Sequence, residues 1–178
     1  MAYQSCSAVT LDSIDARCDQ SLGGIKRILI ANKEDIDGAP TVDANGVITA
    51  ISMVSGTHFY EWKFRRNTGS YTSTTEVDPA IGNSFATTEV SLQFSKAEAQ
   101  KRLAIQNAIN AQAVIIVEAQ NGERIYLGFD NEVIVTNAVM QSGTANTDLD
   151  GFTLTFQDVS RELPHFIAAS VDIDSLLA

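Results

Sequence analysis

Cysteine, proline and positive charge are all scarce in this sequence, and a long apolar run is missing. Its 178 residues include 2 cysteines, 3 prolines and 12 Lys or Arg residues. No apolar run approaches the ~20 residues that a helix needs to cross a bilayer. The amino end has neither the basic start nor the apolar stretch of a signal peptide. We therefore expect a protein that is made in the cytoplasm and has no membrane span.

The two cysteines, Cys6 and Cys18, both lie near the amino end. Two cysteines do not make a disulfide framework, and no CxxC motif or Cys/His cluster accompanies them. We expect both to be reduced thiols, with a local disulfide between them as the alternative.

Acidic residues outnumber basic ones by 22 to 12, which gives a net charge of −10. Proteins that bind nucleic acid or anionic membranes through charge need a broad basic face. One candidate for a nucleic-acid face is Arg65-Arg66, which follows Tyr60, Trp62 and Phe64. Because the rest of the chain is so acidic, we favour a strand end whose arginines are solvated or pair with carboxylates of a neighbouring subunit.

Motifs for catalysis are also missing. The only histidines, His58 and His165, lie in no recognisable motif. Neither a GxGxxG sequence nor a P-loop opens a helix, and a Cys–His or Ser–His–Asp set would depend on the fold to bring its members together. We expect a protein that is not an enzyme and carries no cofactor.

One segment matches part of a calcium loop. Asn146, Asp148 and Asp150 offer oxygen ligands at alternate positions, and Gly151 is the sixth residue. The twelfth position is Gln157 instead of the usual Glu, and a predicted strand follows instead of a helix. Asp-Leu-Asp-Gly is also an ordinary turn before a strand. We interpret the segment as a turn, with a calcium site as the alternative.

The length of the chain predicts a single domain. We divide it into an amino-terminal arm (1–22), a β core (23–165) and a carboxy-terminal tail (166–178). Segments with alternating or β-branched apolar residues predict strands, and they are 25–31, 47–53, 58–64, 89–94, 114–117, 124–129, 132–137 and 152–157. The predicted fold class is mainly β, as an antiparallel β-sandwich or barrel.

One substantial helix is predicted to flank this core, at about residues 95–110. Ser95 and Glu98 have the spacing of a capping box, and residues 96–110 contain no Gly or Pro. Asn121-Gly122 then predicts a tight hairpin between two strands.

Residues 65–88 are rich in Thr and Ser and poor in large apolar residues. Thr favours strands, but a segment with so few large apolar side chains can bury little surface of its own. A turn is predicted from Asp78-Pro79 to Gly82-Asn83. We expect a long polar β-hairpin that projects from the body. A flexible loop is the alternative, although long unstructured loops are uncommon in compact domains.

Four segments carry a resemblance to a known family: 21–36 (SLGGIKRILIANKEDI), 65–75 (RRNTGSYTSTT), 88–102 (TEVSLQFSKAEAQKR) and 142–156 (SGTANTDLDGFTLTF). In this order they resemble the major tail (tail tube) proteins of tailed bacteriophages. The resemblance covers roughly residues 22–164 and lies in the order and character of the segments.

The resemblance implies a β-sandwich or barrel-like core with a flanking helix, assembled as stacked hexameric rings around a DNA channel in the virion tail. It also implies that the hairpin and the two terminal arms join subunits and rings, with other tail or neck proteins as partners. The negative balance suits a lumen through which DNA slides, because repulsion prevents tight phosphate contacts. The hairpin residues expected at the subunit interface are Arg65, Arg66, Asn67, Tyr71, Thr74, Glu76, Asp78, Pro79 and Phe85.

Two other functions remain as alternatives. One is another virion protein of related fold, such as a head–tail connector, tail terminator or baseplate protein. The other is a monomeric β module that binds calcium or carbohydrate.

Overall fold

The structure is a computed structural model and describes residues 13–16, 18, 20–78, 80, 82–145 and 147–177. These residues form eleven strands and one helix, α1 (Ala99–Asn110). The strands are β1 (Ile25–Asn32), β2 (Thr41–Val42), β3 (Ile48–Ala50), β4 (Tyr60–Lys63), β5 (Gly69–Asp78), β6 (Asn83–Ser95), β7 (Ala113–Ala119), β8 (Arg124–Leu127), β9 (Ile134–Gln141), β10 (Gly151–Ser160) and β11 (His165–Phe166). Cys6 lies outside the described residues, and Cys18 is exposed.

Two antiparallel sheets pack against each other as a β-sandwich. One has five strands in the order β11-β8-β7-β1-β4, and the other has four in the order β5-β6-β10-β9. Within the described residues neither sheet closes on itself, so the sandwich form of the prediction is confirmed and the barrel form is not. The short strands β2 and β3 form a third, two-stranded sheet.

Alternating side chains fill the space between the two main sheets. On β6, Val90, Leu92 and Phe94 are buried, whereas Glu89 and Gln93 are exposed. A sheet with one solvated face requires this period of two. The core between the sheets is completed by apolar residues of β1, β7, β8, β10 and α1.

The five-stranded sheet is buried on both faces. Every residue of β7 is buried, which is typical of a strand with both faces covered. The face that points away from β6 is covered by segments that contribute Ile48, Phe59, Ile167 and Ile173. Much of the tail therefore packs on its own domain, where β11 pairs with β8 and a 3-10 turn spans Asp174–Leu176. The role of the tail in joining subunits stays a prediction.

The helix begins later than predicted. Ser95 is still part of β6, where it pairs with Gly151 of β10, and Lys96 turns the chain with a φ of 67°. Glu98 is the N-cap residue, but its side chain caps no backbone amide. Its carboxylate instead lies 2.6 Å from Lys96 Nζ and 3.5 Å from Lys101 Nζ. The predicted capping box is wrong, because pairing with β10 extends β6 through Ser95.

Candidate self-assembly surface

The predicted hairpin is present as β5 and β6. Ten residue pairs join the strands, from Gly69 opposite Leu92 to Asp78 opposite Asn83. At its base the chain turns through Asn67, whose φ of 64° lies in the left-handed region that asparagine tolerates better than most residues. The segment is therefore an ordered hairpin, and the flexible-loop alternative does not describe β5 or β6.

Only the tip of this hairpin extends beyond the sheet. β10 pairs with β6 from Ser95 back to Ala86, so the rest of the hairpin lies within the four-stranded sheet. Beyond the end of β10 remain the three pairs from Glu76 opposite Phe85 to Asp78 opposite Asn83. We call residues 76–78 and 83–85 the tip.

The predicted interface residues lie along the hairpin and do not converge on one point. All of those that the structure describes are exposed: Arg65, Arg66, Asn67, Tyr71, Thr74, Glu76, Asp78 and Phe85. Pro79 lies outside the described residues. The base and the tip are separated by the length of β5, about 30 Å at the usual rise of a strand. Contacts at the two ends therefore belong to different surfaces.

Within the described residues, the two edge strands of the four-stranded sheet, β5 and β9, have no further partner strand. Neither strand contains Lys, Arg or Pro, residues that natural edge strands often use to prevent pairing with other chains. On β9, Ile134 is 49% exposed and Met140 is 64% exposed. The sequence predicted a strand near β9 but not its position at an edge, because edge position is set by pairing between distant segments.

The outward face of the four-stranded sheet has no positive charge, and its centre is polar. None of its four strands contains Lys or Arg. The outward residues of its two central strands β6 and β10 include Glu89, Ser91, Gln93, Thr153, Thr155 and Gln157. Hydroxyl and amide groups with one carboxylate offer no strong contact to phosphate.

The possible calcium loop contains a self-contained turn. Asp148 Oδ2 accepts hydrogen bonds from the backbone amides of Thr144 and Ala145, each at 2.8 Å, and from Thr144 Oγ1 at 3.2 Å. These bonds lower the pKa of Asp148. They also explain the position of its carboxylate, which closes the turn. Asn146 lies outside the described residues, and Asp150 is exposed. No group of three or more potential metal-ligating side chains occurs in the described part of the chain.

The two histidines have separate structural partners. His165 Nδ1 lies 2.8 Å from the carbonyl oxygen of Gly46, and its ring packs 4.5 Å from that of Phe129. The ring of His58 packs edge-on against Tyr60 at 5.0 Å. These contacts place each histidine in the packing of its own segment.

A buried carboxylate that the sequence analysis missed is Asp158 on β10. It is 2% exposed, and its Oδ1 has no hydrogen-bond partner within the described residues. Burial raises its pKa to about 6, although a backbone hydrogen bond from Gly128 and the charge of Lys33 favour the ionised form. A signal was present in the sequence, because Asp158 follows Phe156 in the same alternating phase and so points inwards.

Comparisons of the chain with protein-family models, with curated proteins and with solved structures found no match. In the residues that the structure describes, no helix has both the length and the apolar character needed to cross a membrane. The surfaces of the four-stranded sheet are therefore the best guide to function.

Proposed function

We propose that the protein is a structural subunit of a bacteriophage tail tube, in which copies form rings that stack around a DNA channel. The observation that carries this proposal is one sheet whose two edge strands have no partner within the described residues and whose outward face lacks positive charge. The resemblance of the sequence to tail tube proteins supports it.

Ring formation follows from the two open edges. Pairing of β5 of one copy with β9 of the next joins two different surfaces, so an open chain of subunits keeps one free β5 and one free β9 until the ring closes. The pairing converts unpaired backbone amides and carbonyls into hydrogen bonds between subunits. With eight residues in β9 and ten in β5, most of both strands can take part. The hexameric number comes from the resemblance alone.

The outward face of the sheet suits the wall of a channel for DNA. Glu76 and Glu89 repel phosphates, and the Thr, Ser and Gln side chains around them are neutral. DNA passes such a wall without specific or tight binding, since the counterion release that drives phosphate binding requires Lys or Arg. The subunit would be made and assembled in the host cytoplasm, would reside in the virion tail, and would contact other tail or neck proteins at the ends of the tube.

Negative-stain microscopy and sedimentation velocity of the purified protein test this proposal. We expect rings or tubes to appear as the protein concentration rises. Val139→Lys places a charge in β9 and should leave a folded monomer, whereas the control Gln106→Lys on α1 should assemble like the wild type. Wild-type protein that stays monomeric at high concentration would contradict the proposal. Closed rings that never stack would instead support a connector or terminator.

A further inference from the structure

The five-stranded sheet ends in β4, whose outer edge has no partner strand within the described residues. Tyr60 and Trp62 of β4 lie opposite Ile30 and Ile28 of β1, which belong to the core between the two main sheets. Because residues directly opposite each other share a face of the sheet, both aromatic side chains lie on this inner face. Helix α1 lies alongside, and a groove opens between the strand and the helix.

The widest part of this groove is uncharged and largely apolar. It has a volume of about 460 Å³, and none of the residues that line it is charged. One wall is formed by Tyr60, which is 56% exposed, and by Trp62. The opposite wall includes three alanines of α1, at positions 104, 108 and 111. These small side chains leave room between the helix and the aromatic rings.

The groove becomes basic at its other end, where it is lined by Lys63, Arg65 and Lys101. Two carboxylates partly balance this charge: Glu61 lies 2.8 Å from Lys63 Nζ, and Glu98 lies 3.5 Å from Lys101 Nζ. The side chain of Arg65 has no ion pair within the described residues. In a chain of net charge −10, this end has a local excess of positive charge that complements an acidic partner.

The groove is elongated. Along α1 its lining extends from Ala111 at the apolar end to Lys101 at the basic end, which is about 15 Å of helix. On the other side it follows the free edge of β4 and reaches Arg65. An extended chain spans this length with about five residues, since each residue advances it by about 3.3 Å. A compact ligand would contact only one of the two ends.

We propose that this groove binds an extended acidic segment of a separate protein, which adds to β4 as a further strand. The backbone of the segment pairs with the free edge of β4, and its side chains at alternate positions enter the groove. Apolar side chains fill the space between α1 and the rings of Tyr60 and Trp62. Carboxylates at the other end of the segment lie against Lys63 and Arg65.

This surface is distinct from the proposed ring contacts. β4 belongs to the five-stranded sheet, whereas β5 and β9 are the edge strands of the four-stranded sheet. The inference therefore goes beyond the proposed tail tube function and does not depend on it. Assembly and binding to the groove can be measured separately, so the failure of one leaves the other intact.

Binding of short labelled peptides tests the inference. The peptides TVTVTEEE and EEETVTVT offer alternate apolar side chains and an acidic end in the two possible chain directions. TVTVTKKK and KKKTVTVT are the matched controls. By fluorescence anisotropy, we expect one acidic peptide to bind at least about tenfold more tightly than the lysine peptide of the same order. If neither acidic peptide does so, the inference is overturned.

The emission of Trp62, the only tryptophan in the chain, shows whether the peptide lies in the groove. Bound peptide should shift this emission, and a rise in anisotropy with unchanged Trp62 emission would place the peptide elsewhere and overturn the inference. Ala104→Phe fills the groove and should weaken binding at least about tenfold, whereas the control Gln106→Phe, also on α1 but outside the groove lining, should not.

Charge reversal and competition complete the test. K63E/R65E should reverse the preference, so that this variant binds the lysine peptide more tightly than the acidic one. An unchanged preference for the acidic peptide would contradict the role of these two residues and overturn the inference. Unlabelled wild-type protein in excess should lower the bound fraction only by sharing the peptide among more copies. Loss of peptide affinity as the protein self-associates would instead show that a second copy occupies the groove, which also overturns the inference.

Discussion

Arg27 Nη2 on β1 donates a hydrogen bond to Asp174 Oδ1 in the carboxy-terminal turn, 2.7 Å away and 147 positions later in the chain. The same guanidinium donates to Glu61 on β4 at 2.8 Å and to Glu118 on β7. Lys26 Nζ also donates to Glu118, at 2.6 Å. Burial alone would lower the pKa of Arg27, but its three carboxylate partners together raise it above the usual value. This ion-pair network joins three strands to the tail.

The two carboxylates at either side of Arg27 should differ strongly in their effect on stability. The Glu118 side chain is 7% exposed, and that of Asp174 is 64% exposed. Glu118→Ala removes the most buried carboxylate of the network, which accepts hydrogen bonds from both Lys26 and Arg27. It should therefore lower the free energy of unfolding by roughly 3 kcal/mol. Asp174→Ala removes a solvated pair and should cost under about 1 kcal/mol. Urea denaturation of both variants measures the difference. Equal losses of unfolding free energy would show that burial of the carboxylate does not decide how much it stabilises the fold.

Asp158 should make stability fall as the pH rises. Its pKa is 3.8 in an unfolded chain and about 6 in the fold, so between these values the folded state binds more protons and the unfolding free energy decreases with pH. At pH 7 the full penalty applies, about 3 kcal/mol for a shift of this size.

Asp158→Asn should therefore stabilise the protein by up to about 3 kcal/mol at pH 7, with the gain disappearing below pH 4. Urea denaturation across this pH range is the measurement. Asp37→Asn, on an exposed loop, is the matched control and should show no such pH-dependent gain. A gain that is the same at pH 4 and pH 7 would contradict the assignment of the effect to the charge.

Gly151 should tolerate no side chain. A Cβ at this position would lie 1.9 Å from the carbonyl oxygen of Phe94, in the backbone of the paired strand. Gly151→Ala must push β10 away from β6 and should cost about 3 kcal/mol or more. Gly38, with a φ of 75°, has open space around its Cβ position, so Gly38→Ala meets only backbone strain of about 1–2 kcal/mol. Thermal unfolding of the two variants measures the contrast, and similar losses would mean that the close approach of the strands is relieved at little cost.

The outward face of the four-stranded sheet should not bind double-stranded DNA at physiological salt, because it lacks basic residues. Introducing Ser91→Lys and Thr155→Lys on that face should create binding that weakens steeply as salt rises. Fluorescence anisotropy with a labelled duplex at two salt concentrations measures both. The informative contrary result is wild-type binding that Arg65→Ala and Arg66→Ala abolish, which would support a nucleic-acid surface at the hairpin base.

Local sequence patterns determined the existence of most of the elements. Asn121-Gly122 forms the turn between β7 and β8 as predicted, with Gly122 at a φ of 90°. The Thr/Ser-rich segment forms the hairpin, and the alternation of β10 gives its buried face. These features depend on turn chemistry and on period-two burial, which involve residues close together in the chain.

Tertiary structure alone decided the features that depend on distant partners. Ser95 belongs to a strand and not to a helix cap because Gly151, more than fifty positions later, pairs with it. Residues 165–167 pack against β8 and the apolar residues on the second face of the five-stranded sheet, because that face has to be covered. Asp174 lies beside Arg27 for the same reason.

The features of the candidate self-assembly surface also fall into those set by local sequence and those set by strand pairing. Its polar, non-basic composition was determined by the sequence itself. That β5 and β9 are the edge strands of one sheet in the described residues, and that the tip of the hairpin extends beyond β10, follow only from the order in which strands pair. Strand order is set by the burial of a shared core. No single segment contributes enough apolar surface to this core to decide the strand order alone.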